Sequence, residues 1–529
     1  MKKFLLLFSV AMVFASCASV EKYNTQVTKL HSVEDIHEDI DKVYNQLQRL
    51  HPRLYQFNSK ETLDYKFDSL KKAITKPITS RTFYKKLAAV TKYVGQGHMS
   101  VSPPSKKLER KERSAFNLMK FDINNLDFEY VDNKLIISKA KGDDSLLVNA
   151  EVLKIGDNTT QYLMNTYKKR VASDGYNTTF YNRVIGKRIL RYYSYDVGRF
   201  DSLKITFRNL DSTFVKNYKR IAKVKIKDSL SEDSIKVIKP KVKLTKAERK
   251  AKKLKWKKER KERRKYGYDY ATKENIRDLS FTGKDSTVAL LKIKGFKNGK
   301  FEAFYDETFT ILDSLKTKTL IIDLRNNFGG RLNEIDYLYS YLTDKNFTFI
   351  NKSEINTRFP VLKSLMSNSK GLGVKLFVGL LSPGFAVVDI LRVSKKDGQL
   401  YYKFKSAKEQ EANPLNFKGK IYVLINGNSF SASSILATQL KGSKRATFVG
   451  EETGGAYNGT VAGLFKVYEL PNTMVRARIG LMHIDSKYNI EPDGYGVKPD
   501  IEILPTYQDR LNNVDPELEW VLKAIEKKK

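Results

Sequence analysis

A serine in a strand-to-helix turn is the first feature of this sequence that could do chemistry. The apolar run KIYVLI (420–425) is followed by NGNSFSAS (426–433), and then by an apolar helical pattern that continues to Leu440. This order predicts a strand, a tight turn and a helix, with the unpaired amides of the helix N-terminus beside the hydroxyl of Ser431. Such a hydroxyl can attack a carbonyl, because nearby amides stabilise the negative charge that develops. The serines of this segment could instead only cap the helix and satisfy the turn.

A glycine-rich loop after a second apolar strand changes that balance. The segment LIIDLRNNFGG (320–330) ends in Gly329 and Gly330. Paired glycines let backbone N–H groups approach a ligand or a reaction intermediate closely. No Gly-Lys-Ser/Thr follows them, so the loop does not have the pattern of a nucleotide-binding P-loop.

Four blocks of the sequence resemble one family, the tail-specific or C-terminal processing serine peptidases, which include a tricorn-like branch. The blocks are DLRNNFGG (323–330), NSFSAS (428–433), VGEETGG (449–455) and GVKPD (496–500), and they occur in the family's order. A further segment, YVGQGH (93–98), resembles the block that ends the family's helical N-terminal domain. The resemblance implies that Ser431 is the nucleophile, and that the amides of Ala432 and of Gly329 or Gly330 form the oxyanion hole.

The same resemblance points to a histidine as the general base. The catalytic lysine of the processing branch would fall near Ala456, and no lysine occurs between Glu451 and Leu464. The tricorn-like branch uses a histidine at the end of the N-terminal domain, where His98 lies. A neutral imidazole is chemically suited to take a proton from a serine hydroxyl. Of the five histidines, His483 also lies close to the catalytic blocks and is the rival base.

A carboxylate is expected to orient that histidine and to stabilise its charged form. The tricorn-like branch draws such a carboxylate from just before the GVKPD block. Asp493 or Glu491 would serve here, and the choice between them is open.

The elements that must position these residues alternate between strands and helices. Apolar residues at helical spacing predict a helix over residues 32–50, and further helices before residue 98. Short alternating runs between 121 and 214 predict strands, and this stretch resembles a divergent PDZ-like module. From residue 288, strand and helix patterns alternate in the manner of a βαβ unit.

We therefore predict a multidomain α/β protein. Its parts are a signal peptide (1–16), a linker (17–31), a helical N-terminal domain (32–116), the PDZ-like β-rich module (117–215), a basic insertion (216–270), a ClpP/crotonase-like α/β peptidase core (271–512) and a C-terminal helix (513–529).

The N-terminus has the layout of an export signal. Two lysines precede an apolar stretch, and small residues come directly before Cys17, the only cysteine of the chain. This arrangement resembles the lipobox of bacterial lipoproteins, which implies a lipid-modified Cys17. We find no later stretch that is apolar over 18 residues, so we expect the lipid to be the anchor and the rest to be soluble.

The net charge of +38 is concentrated in the basic insertion. Residues 216–265 contain 23 Lys and Arg against 6 Asp and Glu. Thr245 and Glu248 form a capping-box pattern at the start of a lysine-rich helix with few apolar residues. The insertion could bind an anionic surface, but Trp256, Tyr266 and Tyr268 give little of the interleaved aromatic pattern that favours nucleic acid as a partner.

The sequence thus predicts a lipid-anchored serine endopeptidase of the bacterial cell envelope, facing the periplasm or the exterior and acting on proteins or peptides through Ser431 and His98. We expect no cofactor, and the lone cysteine and the lack of His-Glu-x-x-His give no metal-site pattern. The alternatives are a catalytically inactive relative that binds peptides or other ligands, and a binder of anionic surfaces. The oligomeric state is not predicted.

Overall fold

The computed structural model describes residues 20–223, 245–282, 287–369 and 371–527. The predicted signal peptide, Cys17 and residues 224–244 of the basic insertion lie outside these ranges. The predictions made for them are therefore not addressed by the structure.

The N-terminal part consists of helices, and a short two-stranded sheet (β1, β2) ties two of its loops together. Its elements are α1 (Val20–Thr28), β1 (Leu30–His31), α2 (Val33–Leu50), α3 (Lys60–Lys72), β2 (Ile78–Thr79), α4 (Ser80–Thr91), β3 (Ser100–Ser102) and α5 (Arg110–Asn117). Helix α2 begins after Ser32, whose hydroxyl accepts the amide of Asp35 at 3.1 Å and so satisfies one of the unpaired donors of the first turn.

The next part is a twisted antiparallel sheet covered by three helices. Its elements are β4 (Met119–Phe121), β5 (Asp127–Val131), β6 (Lys134–Lys139), β7 (Glu151–Ile155), β8 (Asn158–Thr159), α6 (Thr160–Lys168), α7 (Thr179–Lys187), α8 (Ile189–Val197), β9 (Ser202–Asn209) and β10 (Ser212–Ala222). The strand order is β4-β10-β9-β7-β6-β5, and β8 pairs with β7. Strand β10 runs seven residues beyond the boundary expected at 215. The PDZ-like character of this module stays a prediction.

The lysine-rich segment that begins at residue 246 is one helix, α9 (Lys246–Lys265). Its N-terminus carries the predicted capping box, in which Glu248 N donates to Thr245 Oγ1 and Thr245 N donates to Glu248 Oε2. No residue of this helix is buried, because its sequence has no apolar face wide enough to pack.

The core that follows is built on a mixed sheet of six strands. Its first elements are β11 (Arg277–Thr282), β12 (Val288–Ile293), α10 (Phe301–Ser314), β13 (Thr319–Asp323) and α11 (Leu332–Ser340). Strands β12 and β13 are parallel and α10 connects them, which confirms the predicted βαβ unit. Every residue of β13 is buried, as expected for a parallel strand that is covered on both faces.

A second sheet of the core is joined to the N-terminal part, because β3 pairs with its strand β22. The next elements along the chain are β14 (Phe347–Thr348), β15 (Ser353–Ile355), α12 (Pro360–Leu365), α13 (Leu372–Arg392), β16 (Val393–Lys396), β17 (Gln399–Tyr402) and β18 (Glu409–Gln410). The remainder are β19 (Lys420–Ile425), α14 (Ala432–Gly442), β20 (Thr447–Gly450), β21 (Gly459–Glu469), β22 (Arg476–Asp485), β23 (Ile501–Glu502), α15 (Tyr507–Leu511) and α16 (Pro516–Glu526). The first sheet has the order β11-β12-β13-β19-β20-β23, and the second β16-β17-β15-β22-β21 with β3 added to β22.

The buried apolar residues form three clusters that do not follow the expected domains. One cluster joins the N-terminal helices to the core, from Ile36 through Leu320 to Ile484. The antiparallel module has its own cluster, but Phe430 of the core belongs to it. A third lies under the C-terminal helix α16 at Val521. The helical N-terminal part therefore shares its interior with the core, and the module meets the core at the residue before Ser431.

Helix α13 corrects the expectation that no later stretch is apolar over 18 residues. Within the described ranges, residues 373–392 form one helix that is long and apolar enough to cross a membrane. Lys375, Pro383 and Asp389 interrupt its apolar sequence, which is why the run escapes a search for continuous hydrophobic residues.

Candidate active site

Two neighbouring parallel strands, β13 and β19, end at the same edge of the first sheet. Side-chain hydrogen bonds join the loops that follow them. Asn428 Nδ2 donates to Asn326 Oδ1 at 2.9 Å, Asn326 N donates to Asn426 Oδ1 at 3.0 Å, and Ser429 Oγ donates to the carbonyl of Leu324 at 2.8 Å. The asparagines and serines of the two motifs therefore lock the glycine loop to the turn that carries the serine.

Ser431 occupies a strained backbone conformation at the start of α14. Its φ of 60° and ψ of −124° lie in a region that residues with a side chain rarely adopt. The conformation is held by Ser434 Oγ and by the amide of Ile435, which donate to the Ser431 carbonyl at 2.8 Å and 3.0 Å. A strained turn of this kind presents a serine side chain away from the sheet, here into a cavity of about 550 Å³.

The glycine loop supplies candidate oxyanion donors, and its hydrogen bonds distinguish the amide of Gly329 from that of Gly330. Gly329 has φ of 86°, and a Cβ placed on it would lie 2.6 Å from the amide nitrogen of Ala432. The amide of Gly329 donates to Asn327 Oδ1 at 2.9 Å and is therefore occupied. In the described part of the chain, no acceptor is recorded for the amides of Gly330 and Ala432. These two amides are the free donors next to Ser431.

His98 reaches the same cavity from the N-terminal part. Strand β3 follows it and pairs with β22, where Ser100 lies opposite Arg478. Arg478 Nη1 donates to the carbonyl of His98 at 3.0 Å. The imidazole packs against Phe430, with ring centroids 4.8 Å apart, and against Phe465 at 5.4 Å. The residue before the nucleophile thus contacts the histidine directly.

The environment of His98 keeps its imidazole neutral. Burial, together with the positive charges of Arg478 and Arg188, lowers the pKa of His98 to about 3. Its Nε2 is buried without a hydrogen-bond partner. His98 and Ser431 line one cavity, and no hydrogen bond between them is recorded among the described residues.

The cavity around these residues is mainly apolar. Its other lining residues include Phe328, Leu332, Tyr402, Phe404, Ile435, Leu464, Phe465 and Met482. Among the residues that the structure describes, three cations line it, Lys297, Arg331 and Arg478, and no carboxylate does. Lys297 does not serve as a ready neutral base, because its ammonium pairs with Asp269 at 3.2 Å. In the ranges described, no three His, Cys, Asp or Glu side chains cluster in a way that could hold a metal ion.

The side chain of His483, the rival base, lies on the face of β22 opposite to the cavity. It is buried in β22 between Met482 and Ile484, both of which line the cavity, whereas His483 does not. Successive side chains of a strand point to opposite faces, so His483 points away. Burial lowers its pKa to about 3 as well.

The two candidate orienting acids do not reach the imidazole. Asp493 Oδ2 accepts Gln56 Nε2 at 2.8 Å, and Gln56 Oε1 accepts Gln96 Nε2 at 2.9 Å. The Asp493 carboxylate is therefore linked to the histidine loop through two glutamines. Glu491 is exposed, and no contact between it and His98 is recorded in the described part of the chain.

Sequence reasoning missed a buried carboxylate at the junction, Asp174. Its Oδ1 accepts the amide of Gly97 at 2.6 Å, and its Oδ2 accepts the amide of Ala456 at 3.3 Å. Burial raises the pKa of Asp174 to about 6. It joins the loop of His98 to the loop that follows β20. The only signal in the sequence was an Asp-Gly pair at 174–175, which also marks ordinary turns.

One family of known proteins matches the second half of the chain. Residues 287–503 match the family model of peptidase family S41. The core of this chain is an S41 peptidase domain. The protein is accordingly a serine-type peptidase with a mixed α/β fold. A comparison with curated protein sequences found no match.

Solved structures extend the likeness beyond the S41 domain. The structure of mature CPAF complexed with lactacystin is 15% identical, with a TM-score of 0.58, and the match covers 93% of this chain and 98% of that one. A crystal structure of mature CPAF is 14% identical, with a TM-score of 0.55, covering 90% and 94%. The photosystem II D1 C-terminal processing protease is 12% identical, with a TM-score of 0.41, covering 88% and 92%. The fold that this chain shares with CPAF therefore includes the N-terminal part and the antiparallel module in addition to the S41 domain.

Proposed function

We propose that this peptidase is an endopeptidase of the bacterial cell envelope that cleaves proteins or peptides through a Ser431/His98 mechanism. The observation that carries the proposal is the meeting of three features at one cavity: a serine in a strained turn, two free backbone amides, and a buried neutral histidine. The apolar lining favours an apolar substrate side chain next to the bond that is cleaved.

In the first step, Ser431 Oγ attacks the carbonyl carbon of the scissile peptide bond while His98 takes the hydroxyl proton. The carbonyl oxygen becomes negative and accepts the amides of Gly330 and Ala432. Although burial disfavours the imidazolium, it forms beside the new oxyanion, and the attraction between the two charges offsets part of that cost. His98 then gives its proton to the leaving amine, and water releases the acyl group in the second half of the reaction.

The nucleophile is tested with a matched pair of serines. Ser431→Ala and Ser433→Ala differ by two positions, and Ser433 Oγ is buried without a partner, so its removal breaks no hydrogen bond. We expect the wild type and Ser433→Ala to hydrolyse a peptide library, read by mass spectrometry, and to react with a fluorophosphonate probe. Ser431→Ala should do neither. Labelling that persists in Ser431→Ala would assign the nucleophile to another residue.

The base is tested with a matched pair of histidines. His98 and His483 are both buried, and burial lowers the pKa of each to about 3. We expect His98→Ala to lose activity and His483→Ala to retain it, since only His98 lines the cavity. Loss of activity only in His483→Ala would transfer the role.

The cell-envelope location rests on the sequence of the leader. We propose that the mature chain begins at an acylated Cys17, facing the periplasm or the exterior. Intact-mass measurement of the protein extracted from membranes should give the mass of residues 17–529 plus the acyl groups. An unmodified Cys17, or a Cys17→Ser chain that matures and distributes like the wild type, would reject the anchor.

A further inference from the structure

Helix α13 stands out because it is apolar and almost fully exposed. Of its described side chains, only Val378 and Asp389 are buried. Its large apolar residues are exposed, from 41% to 78%: Val374, Leu376, Phe377, Leu380, Leu381, Val387, Val388, Ile390 and Leu391. A Cβ added at Gly379 or Gly384 would meet nothing within 4 Å. A soluble protein rarely leaves so large an apolar surface facing water, so a partner is expected to cover it.

The helix cannot cross a bilayer, because both of its ends are fixed to the same body. On one side, Asn368 exchanges two hydrogen bonds with the backbone of Glu469 in β21, at 2.7 Å and 2.8 Å. On the other side, the chain continues directly into β16, which pairs with β17. Near that end, Asp389 accepts the amides of Val361 and Leu362 at 3.0 Å and caps α12. A helix about 30 Å long that is held in this way can only lie along a surface.

The carbonyl that Pro383 leaves unpaired in the helix backbone has a hydrogen-bond donor within the helix. Pro383 lacks an N–H group and leaves the carbonyl of Gly379 without its usual donor. Ser382 Oγ donates to that carbonyl at 2.7 Å. A freed carbonyl would need no such donor in water, whereas in a lipid environment an unsatisfied one is costly.

The charges around the helix favour an anionic partner over a second copy of the chain. Asp389 is buried in the cap of α12, so the exposed charges of the helix are both cationic, Lys375 near its start and Arg392 at its end. Lys395 and Lys396 follow after two residues and are exposed, with one exposed acid, Asp397, next to them. Long cationic side chains at such positions extend to lipid headgroups while their stems stay in apolar surroundings. Two copies facing each other would instead bring together chains that each carry a net charge of +38.

We propose that α13 binds an anionic phospholipid bilayer, lying in its interface with the apolar side chains at the boundary of the acyl chains. This contact adds to any lipid on Cys17 and is independent of it. It also orients the active site. Helix α12 is bonded to β21 through Ser364 Oγ and the carbonyl of Phe465, at 2.9 Å, and Phe465 lines the cavity of Ser431. The S41 domain would therefore work close to the membrane surface.

Flotation with vesicles tests the contact without the lipid anchor. Residues 18–529 contain every residue of the described structure and no acylation site. We expect this protein to float with vesicles that contain phosphatidylglycerol, and less with phosphatidylcholine alone. Leu380→Ser/Leu391→Ser should lower the partition coefficient by about a hundred-fold, since each buried leucine contributes about ten-fold. The matched control is Leu146→Ser/Leu254→Ser, whose leucines are 84% and 70% exposed elsewhere, and it should bind as the wild type does.

Tryptophan at single sites tests the orientation of the helix. Phe377→Trp and Leu391→Trp place the probe toward the two ends of the helix. Brominated lipids should quench both relative to the wild type at similar shallow depths, about 5–10 Å into the interface. A deep position at either site would contradict a helix that lies flat.

Three results would overturn the proposal. The first is no flotation of residues 18–529 on any vesicle. The second is equal loss of binding in the α13 variant and its control, which would place the contact elsewhere, for instance on α9. The third is a dimer in light scattering that Leu380→Ser/Leu391→Ser dissociates, which would make a second copy the partner of α13. Each of these readouts is separate from peptide hydrolysis.

Discussion

Ser431 and His98 line the same cavity, yet the structure holds them by different means. The serine half of the site consists of the loops 324–330 and 426–432, which follow adjacent strands of one sheet and are joined by several hydrogen bonds. The histidine half consists of residues 95–98, the Asp174 carboxylate and the ring of Phe465, and its imidazole also packs against Phe430 of the serine half. The one charged side chain of the first half, Arg325, is paired with Asp323 and Asp515. The second half depends on three parts of the chain meeting, and it contains the groups that titrate.

The largest expected effect joins the two halves. Ser431→Ala and His98→Ala should each lower kcat by about 10⁴-fold or more, because attack requires both groups. The double variant should lose little more than either single one, because the two residues act as a unit. The measurement is kcat on one peptide substrate for the four proteins. Losses that multiply in the double variant would show that the residues work separately.

A substitution within the serine half should have the next largest effect. In Gly329→Ala, the new Cβ would lie 2.6 Å from the amide nitrogen of Ala432 and from the carbonyl of Phe430, which forces the two loops apart. We expect kcat to fall by about 10²- to 10³-fold, the usual loss of an oxyanion donor, with a smaller change in KM. Gly379→Ala is the matched control, since its Cβ would meet nothing within 4 Å. Equal activity in both variants would mean that this loop does not contribute to the oxyanion hole.

The histidine half should respond to Asp174→Asn through pH. Burial raises the pKa of Asp174 to about 6, so the carboxylate is ionised above that pH and accepts the amide of Gly97 as an anion. Wild-type kcat/KM should fall as pH drops below about 6. Asp174→Asn keeps the shape of the side chain but cannot ionise, so it should be about ten-fold less active, the loss expected for a charge-assisted hydrogen bond, and lack this acid limb. An unchanged limb would assign it to another group.

Asp493→Asn should have a smaller effect, because Asp493 contacts Gln56 and the amide of Gly494 and not His98. We expect kcat to change less than about five-fold, as for a single peripheral hydrogen bond. An acid that orients the catalytic histidine directly would cost about 10⁴-fold when neutralised. A loss of that size would show that Asp493 moves onto His98 when substrate binds.

The same contrast explains what could be predicted from the sequence. The serine half lies on consecutive strand and turn patterns, and its elements were located to within one or two residues, including β19 and α14. The histidine half could not be predicted beyond His98, because Gly97, Asp174 and Ala456 are far apart in the chain and meet only through tertiary packing. The resemblance to a family supplied His98, and no local pattern would have supplied Asp174.

Helix α13 was missed for a related reason. Its polar residues each have a local purpose: Asp389 caps α12, Ser382 satisfies a carbonyl, and Lys375 lies near one end. A search for uninterrupted apolar sequence discards such a helix, although its exposed surface is apolar over most of its length.

The smallest expected effect is on the pH dependence of stability. The pKa of His98 is lowered to about 3 in the folded state, whereas the unfolded chain has the ordinary value near 6.5. Above 6.5 both states are neutral and the stability is fully present. As pH falls from 6.5 toward 3, the unfolded state binds a proton at this histidine and the folded state does not, so the free energy of unfolding decreases.

We expect the wild-type Tm to fall between pH 7 and pH 4.5, and to fall by a few degrees less in His98→Phe. The phenylalanine cannot be protonated, and its ring can pack against Phe430 and Phe465. Ile484→Val, a buried substitution in the same cavity that does not titrate, should shift Tm equally at both pH values. Parallel curves for the wild type and His98→Phe would mean that the imidazole is protonated in the folded state, and that the histidine half is more open in solution than its packing indicates.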